Sequence, residues 1–262
     1  MKLIRYVLLV GGLFTLVLAF GFIFQMPFAL SIWPWPDGRL SYLFIGSIFA
    51  AISAAALWIG WTGDLGALPA GSLNLVVIEI TSAIYFTMLV LREGRAELLP
   101  FMIGAWILAV VSGGFFLWSR TLGMQDSRPT PGFIRVSFGI FLAALIFSGT
   151  ALILRSPIFP WKLNPDSSVI FGCIFLGDAF YFLYALLVPR LSNAIGQLLS
   201  FLAYDLVLIV PFLKLLTTVD PALRINLMVY VIVLLFSAGL AVYYLFIHPQ
   251  TRNWLSKSAQ VD

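Results

Sequence analysis

Residues 100–118 read PFMIGAWILAVVSGGFFLW, nineteen residues in a row without a charge. About 20 apolar residues wound as a helix cross the roughly 30 Å hydrocarbon core of a bilayer. Seven other stretches have the same character and comparable length, near 4–26, 40–61, 71–91, 133–154, 168–189, 194–216 and 224–247. The composition agrees: of 262 residues, 61% are hydrophobic and 10% charged, and the mean hydropathy is +1.04. A soluble globular chain has about 45–50% apolar and about 25% charged residues, so too few charges remain here to cover a soluble surface. Disorder is excluded by the hydrophobicity and collagen by the lack of a glycine triplet period. A disulfide scaffold is excluded because Cys173 is the single cysteine. Lipid-exposed backbone must satisfy its own hydrogen bonds, and no alternating barrel pattern is present, so the spans are helices. The expectation is an all-α integral membrane protein with eight transmembrane helices.

The first apolar run begins after Lys2 and Arg5 and extends to Phe24. It is longer than the roughly 7–15 residues of a signal-peptide core and no A-x-A site follows, so it reads as a retained span. The longest connection, residues 120–132, holds Asp126, Arg128, Pro129 and Pro131 and falls at mid-chain. This divides the chain into a first four-helix unit over 1–120, a linker over 121–132, a second four-helix unit over 133–248 and a polar tail over 249–262. Basic residues number eight on the N-terminal side of the spans and seven on the other. The positive-inside rule needs a larger bias than that. The basic start of the first helix to insert favours cytoplasmic termini, in a bacterial cytoplasmic membrane. A net charge of +4 without a basic stripe points to the lipid bilayer as partner and not to nucleic acid.

An internal repeat emerges at an offset of 126. Residues 31–49 read SIWPWPDGRLSYLFIGSIF and residues 157–175 read PIFPWKLNPDSSVIFGCIF, identical at seven of nineteen positions, Pro34/Pro160 and Trp35/Trp161 among them. The same offset pairs Phe86 with Phe212, Met102 with Met228 and Gly113 with Gly239. Two loops could converge on Trp and Pro because both suit the headgroup region. The lack of gaps downstream favours duplication. Four spans return the chain to its starting side, so the expectation is two parallel four-helix repeats, whose binding sites tend to lie between halves near the midplane.

Of eleven acidic residues, only Glu79, Asp178 and Asp205 lie well inside spans. Each costs roughly 2.5–3.5 kcal/mol or more at mid-bilayer if charged and unaided. Glu79 and Asp205 are 126 apart and so repeat equivalents, whereas Asp178 has Ile52 as its counterpart. No base shares their depth. Lys214 is nine residues from Asp205, about 13–14 Å along the helix and on its far side. The acids therefore stay neutral, share protons with one another or with tyrosines, or bind a cation. Tyr181 lies three residues from Asp178 and Ser82 three from Glu79, each on its acid's helix face. We expect Glu79, Asp205 and Asp178 as proton- or cation-binding groups with Tyr181 and Ser82 as auxiliary polar groups. The bland counterpart is interhelical hydrogen bonding by neutral carboxyls.

Other features read as architecture. Gly46, Ala50 and Ala54 form a small-residue face for close helix approach, a role also expected of Gly113 and Gly239. Trp33, Trp35 and Trp161 are expected as interface anchors, Ser41 and Ser167 as helix caps, and Pro211 as a loosening of its helix. No metal or cofactor motif is present: His248 is the single histidine and sits at a span end, and H-E-x-x-H and C-x-x-C are absent. No catalytic residue is assigned.

The segment WPWPDGRLSYLFIG, with Pro27 upstream, resembles a stretch in uncharacterised bacterial polytopic membrane proteins that carry a W-P-W element before a small-rich helix. Trp33, Pro34, Trp35 and Pro36 match it, whereas the second copy has Phe159 and Lys162 at the corresponding places. The resemblance spans about a fifth of the chain. It implies a multi-spanning bacterial membrane protein and transfers no activity.

The sequence favours proton- or cation-coupled transport of a small solute. Alternatives are a non-catalytic membrane subunit or scaffold, bound to protein partners or to copies of itself, and an intramembrane enzyme acting on a lipid with the carboxyls as general acid and base. An enzyme is the less favoured class.

Overall fold

The computed structural model describes residues 1–252 and 254. Lys257 and the rest of the polar tail beyond Trp254 lie outside the described residues. Among the described residues eight helices are long and apolar enough to cross a membrane, so the chain is an all-α polytopic membrane protein. In order they are α1 (Lys2–Ile23), the one-turn α2 (Pro27–Leu30), α3 (Arg39–Thr62), α4 (Leu68–Arg92), α5 (Leu99–Ser119), α6 (Gly132–Ile153), α7 (Pro165–Leu187), α8 (Leu191–Leu215) and α9 (Arg224–Val242). A π-helical turn, Tyr243–Ile247, extends α9. Pro27, Pro69, Pro100, Pro165 and Pro221 each sit in a first helical turn, where their missing N–H costs nothing. Asn164 caps α7 by accepting from the Asp166 N–H at 2.9 Å, and Gly63 ends α3 at φ 76°. Pro211 does not interrupt α8.

Helices pack first as consecutive hairpins: α1 with α3, α4 with α5, α6 with α7 and α8 with α9. Those hairpins then pair across the chain's midpoint, α3 against α8 and α4 against α7. Consecutive α3 and α4 barely touch, so residues 1–120 do not form a compact bundle of their own. The α1–α3 and α6–α7 crossings are each marked by a glycine. A methyl added to Gly46 would meet Ala19 O of α1 at 3.0 Å, and one added to Gly172 would meet Gly149 O of α6 at 2.6 Å. Gly113 and Gly239, expected at similar crossings, have no atom within 4 Å of such a methyl. They face outward and do not mediate packing within the chain.

The turns that end α1 and α6 are alike. Among the described residues Gln25 (φ 53°) and Arg155 (φ 59°) are the non-glycine residues with positive φ. Met26 N–H donates to Gly21 O at 2.7 Å, and Ser156 N–H donates to Ala151 O at 2.9 Å.

Two apolar cores result. One, around Phe22, Phe44, Phe86, Phe171 and Phe212, fills the half of the bundle below the two Pro-Trp loops. The other, around Trp58, Phe138, Phe182 and Leu198, fills the half nearer the termini. Trp35 is 5% exposed and stacks on Phe86 at 5.8 Å between centroids. Its indole therefore packs in the protein core and does not anchor in the headgroups. Trp161 meets Phe212 at 5.6 Å and donates to Ser41 Oγ at 3.0 Å. Trp33 donates to Asp37 Oδ2 at 2.9 Å. Both are half-buried against the first core. Ser41 and Ser167 are not caps: Ser41 accepts from Trp161, and Ser167 Oγ donates to Asp37.

The mid-chain linker is stitched down and does not hang free. Gln125 N–H donates to Asp64 Oδ1 at 3.1 Å and Gln125 Nε2 to Thr62 O at 3.1 Å. Ser192 Oγ donates to Asp64 Oδ2. Leu191 N–H reaches Arg128 O at 2.8 Å, and Pro129 pairs with Arg190 in an isolated bridge.

Candidate functional site

The three intramembrane acids differ in surroundings. Asp205, on α8, is 1% exposed. Its Oδ1 accepts from Ser237 Oγ of α9 at 3.0 Å, while its buried Oδ2 has no partner among the described residues. Asp178, on α7, accepts at Oδ1 from Asn74 Nδ2 of α4 at 2.7 Å. Asn74 and Asp178 meet where α4 and α7 cross, beside Gly177. Glu79, on α4, is half-buried, and no hydrogen bond or ion pair to it occurs among the described residues.

A pair of half-buried tyrosines lies on the same two helices as Asp205 and Ser237. Tyr204 of α8 and Tyr230 of α9 share a short hydroxyl–hydroxyl hydrogen bond. Both hydroxyls lie within electrostatic reach of the Asp205 and Asp178 carboxyls. Two hydrogen-bonded pairs thus lie between α8 and α9, Ser237 with Asp205 and Tyr204 with Tyr230. With Asp178 of α7, which bonds instead to Asn74, they make up a set of buried and half-buried polar groups, the seam, with no hydrogen bond between the pairs or from either pair to Asp178 among the described residues. Glu79 stands outside it. Ser237 has Val111 at the position 126 residues earlier, so Glu79 has no counterpart of the hydroxyl that serves Asp205. Tyr204, Tyr230 and Asp178 likewise have Ile78, Gly104 and Ile52 at that offset. Of these five positions Asp205 alone has a polar counterpart.

The auxiliary residues go elsewhere. Tyr181 shares a helix face with Asp178, but its hydroxyl donates to Asn193 O at 3.1 Å. Tyr181 is one turn nearer than Asp178 to the end of α7 where α8 begins, so its phenol reaches Asn193 and not the carboxyl. Ser82 lies beside the Cys173 thiol of α7, not beside Glu79. The residues that sequence reasoning missed are Asn74, Tyr204, Tyr230 and Ser237. Their available signal was polarity inside a span with an apolar residue at the repeat offset, which holds for Tyr204, Tyr230 and Ser237. Asn74 has Ser200 at that offset, and Ser200 Oγ donates to Ala51 O at 3.0 Å at the α3–α8 crossing.

Among the described residues no three His, Cys, Asp or Glu side chains converge as a protein-held metal would need. These carboxyl and hydroxyl groups can each hold an exchangeable proton or offer an oxygen to a small cation.

The chain matches no protein-family model, no curated protein and no solved structure.

Proposed function

We propose that this chain is a proton- or cation-coupled transporter of a small solute, with Asp205 as the coupling carboxyl and Asp178 as auxiliary acid. The observation that carries the reading is the orphan Asp205 Oδ2, buried in the middle of a span. A buried polar atom without a partner costs about 1–3 kcal/mol. Such groups persist in membrane helices chiefly where an ion or proton pathway uses them. Tyr204, adjacent to Asp205 in sequence, and Tyr230 supply further exchangeable protons between α8 and α9. Glu79 is a second candidate, supported by its depth alone.

The same proposal includes a gene duplication that relates 1–120 to 133–248. It is supported by the matched pairings α3–α8 and α4–α7. It is supported also by the like turns at Gln25 and Arg155, which are 130 residues apart because the first loop is four residues longer. On this account the first half keeps the scaffold and the second has acquired the polar seam.

The test is proton entry into proteoliposomes that contain a pH dye, driven by a potassium diffusion potential, with mixed amino acids and sugars outside. Wild-type protein should raise the rate above protein-free vesicles. Asp205→Asn should abolish most of that rise, and Glu79→Gln combined with Asp205→Asn should abolish the rest. An undiminished rate in the double variant contradicts the assignment. A wild-type rate equal to that of empty vesicles contradicts it too, and leaves the scaffold reading in the lead.

A further inference from the structure

Away from the acid seam, a cleft of about 430 Å³ opens on the face where the chain begins. Its walls are the ends of α5 and α7 and the linker, and its floor is the start of α4. There Gly66 is pressed so close to Gly123 O that an added methyl would lie 2.4 Å from it. Arg120 and Arg190 line the cleft together with Tyr184 and Ser127, and none of the lining residues is acidic. Neither arginine has an ion pair among the described residues. Arg120 lies over the Phe116 ring at 6.0 Å, and Phe116 meets Tyr184 edge-on at 6.0 Å. Arg190 donates to Ser127 O at 2.8 Å. Asp64 and Asp126 face the neighbouring hollow, where they are engaged by Ser192, Gln125 and Arg128.

The depth of this cleft is marked by exposed indoles. Trp118 is two residues before Arg120, and Trp61 of α3 is 74% exposed at the same end of the bundle. Tryptophans of this kind sit at headgroup level. Leu117 and Leu187 each precede one of the arginines by three residues and are 57% and 72% exposed, on the lipid-facing surface. Cationic groups therefore lie at phosphate height, directly above apolar ridges at acyl-chain height. Basic pockets between transmembrane helices suit anionic lipid head groups, and the guanidinium fork matches phosphate oxygens.

We propose that this cleft binds the phosphate of an anionic phospholipid, held between Arg120 and Arg190, with the acyl chains along Leu117 and Leu187. The site is independent of the transport reading.

Native mass spectrometry of the intact chain in mild detergent tests it, with phosphatidylglycerol and phosphatidylcholine of identical chains as probes. Wild type should retain phosphatidylglycerol in preference. At about 1 kcal/mol per basic group, Arg120→Gln with Arg190→Gln should weaken that binding about thirtyfold, or about 2 kcal/mol at 1.4 kcal/mol per tenfold. The Arg120→Lys, Arg190→Lys variant keeps the charge and should fall between. Equal retention of the two lipids overturns the proposal, as does undiminished binding by the Gln variant. Displacement of the lipid by inorganic phosphate in molar excess assigns the site to a free phosphate compound and also overturns it. Should the Gln variant not fold, the wild type in high salt decides: weaker phosphatidylglycerol binding supports the site, and unchanged binding overturns it.

Discussion

Replacing Gly177 by alanine tests the α4–α7 crossing that holds Asp178 in place. A methyl there would lie 2.3 Å from Ile78 Cγ1, 2.7 Å from Asn74 O and 2.7 Å from Asn74 Oδ1. Ile78 can turn its side chain away, but Asn74 O is backbone of α4, so the helices must separate. Ordinary contact begins at 3.4 Å, and 3.4 minus 2.7 asks for 0.7 Å of movement. A gap of about that size forfeits a quarter to a half of the dispersion well of each contact it opens. It also stretches the 2.7 Å bond from Asn74 to Asp178. Overpacking of this kind costs about 1–3 kcal/mol, and the better helix propensity of alanine returns up to about 1 kcal/mol. From the middle of that packing cost, about 2 kcal/mol, the net loss is about 1–2 kcal/mol, which lowers Tm by about 2–8 °C at roughly 2–4 °C per kcal/mol. Gly239→Ala is the control, because an added methyl there meets nothing within 4 Å. It should leave Tm unchanged or raise it slightly. Thermal unfolding in one detergent, followed by intrinsic tryptophan fluorescence, reads both. A Gly177→Ala protein that melts with the wild type refutes the packing argument, and so does a Gly239→Ala protein that melts as early as Gly177→Ala.

Two further outcomes follow from residues outside the spans. Burial pushes the Asp64 carboxyl up from its ordinary value of 3.8, against hydrogen bonds from Ser192 and Gln125 that pull it down. The folded state then binds the proton more tightly than the unfolded state, so stability is lost as pH rises from 3.8 through the raised folded value. Wild type should therefore gain stability relative to Asp64→Asn as pH is lowered from about 7 toward about 4; parallel melting curves across that range contradict this. Gln25 holds φ 53° at the end of α1, a left-handed conformation that costs a non-glycine residue about 1–2 kcal/mol. Gln25→Gly should stabilise the chain by about 0.5–1 kcal/mol, offset in part by the extra freedom of glycine when unfolded, and a lower Tm would show that the side chain makes a contact of its own.

The spans were legible because hydropathy reports burial in lipid directly. The expected 40–61 and 224–247 coincide closely with Arg39–Thr62 and with Arg224–Val242 plus its π turn. The one-turn α2 was missed, since four residues carry no periodicity. Equivalence of Glu79 and Asp205 was legible by counting, but their different environments were not. Which helix faces meet depends on register between α8 and α9, and register has no signature in apolar spans. Hence Tyr204 and Tyr230, 26 residues apart, were not seen as partners. Tyr181 shows the converse limit: its face followed from helical spacing, while the reach of its phenol to Asn193 depended on where α8 begins. Trp35 was expected at the lipid surface on residue type alone, and the cross-midpoint packing of hairpins drew it inward onto Phe86.

The central claim is that Asp205 exchanges protons with solvent through the seam, and infrared spectroscopy of its carboxyl tests this most directly. Difference spectra of wild type against Asp205→Asn, recorded across a pH titration in H₂O and again after transfer to D₂O, isolate the Asp205 carboxyl band. The account predicts a band that titrates, shifts in D₂O within the time of turnover, and is unaltered by Glu79→Gln. A band that neither titrates nor shifts in D₂O would make Asp205 a dry packing residue and contradict the account.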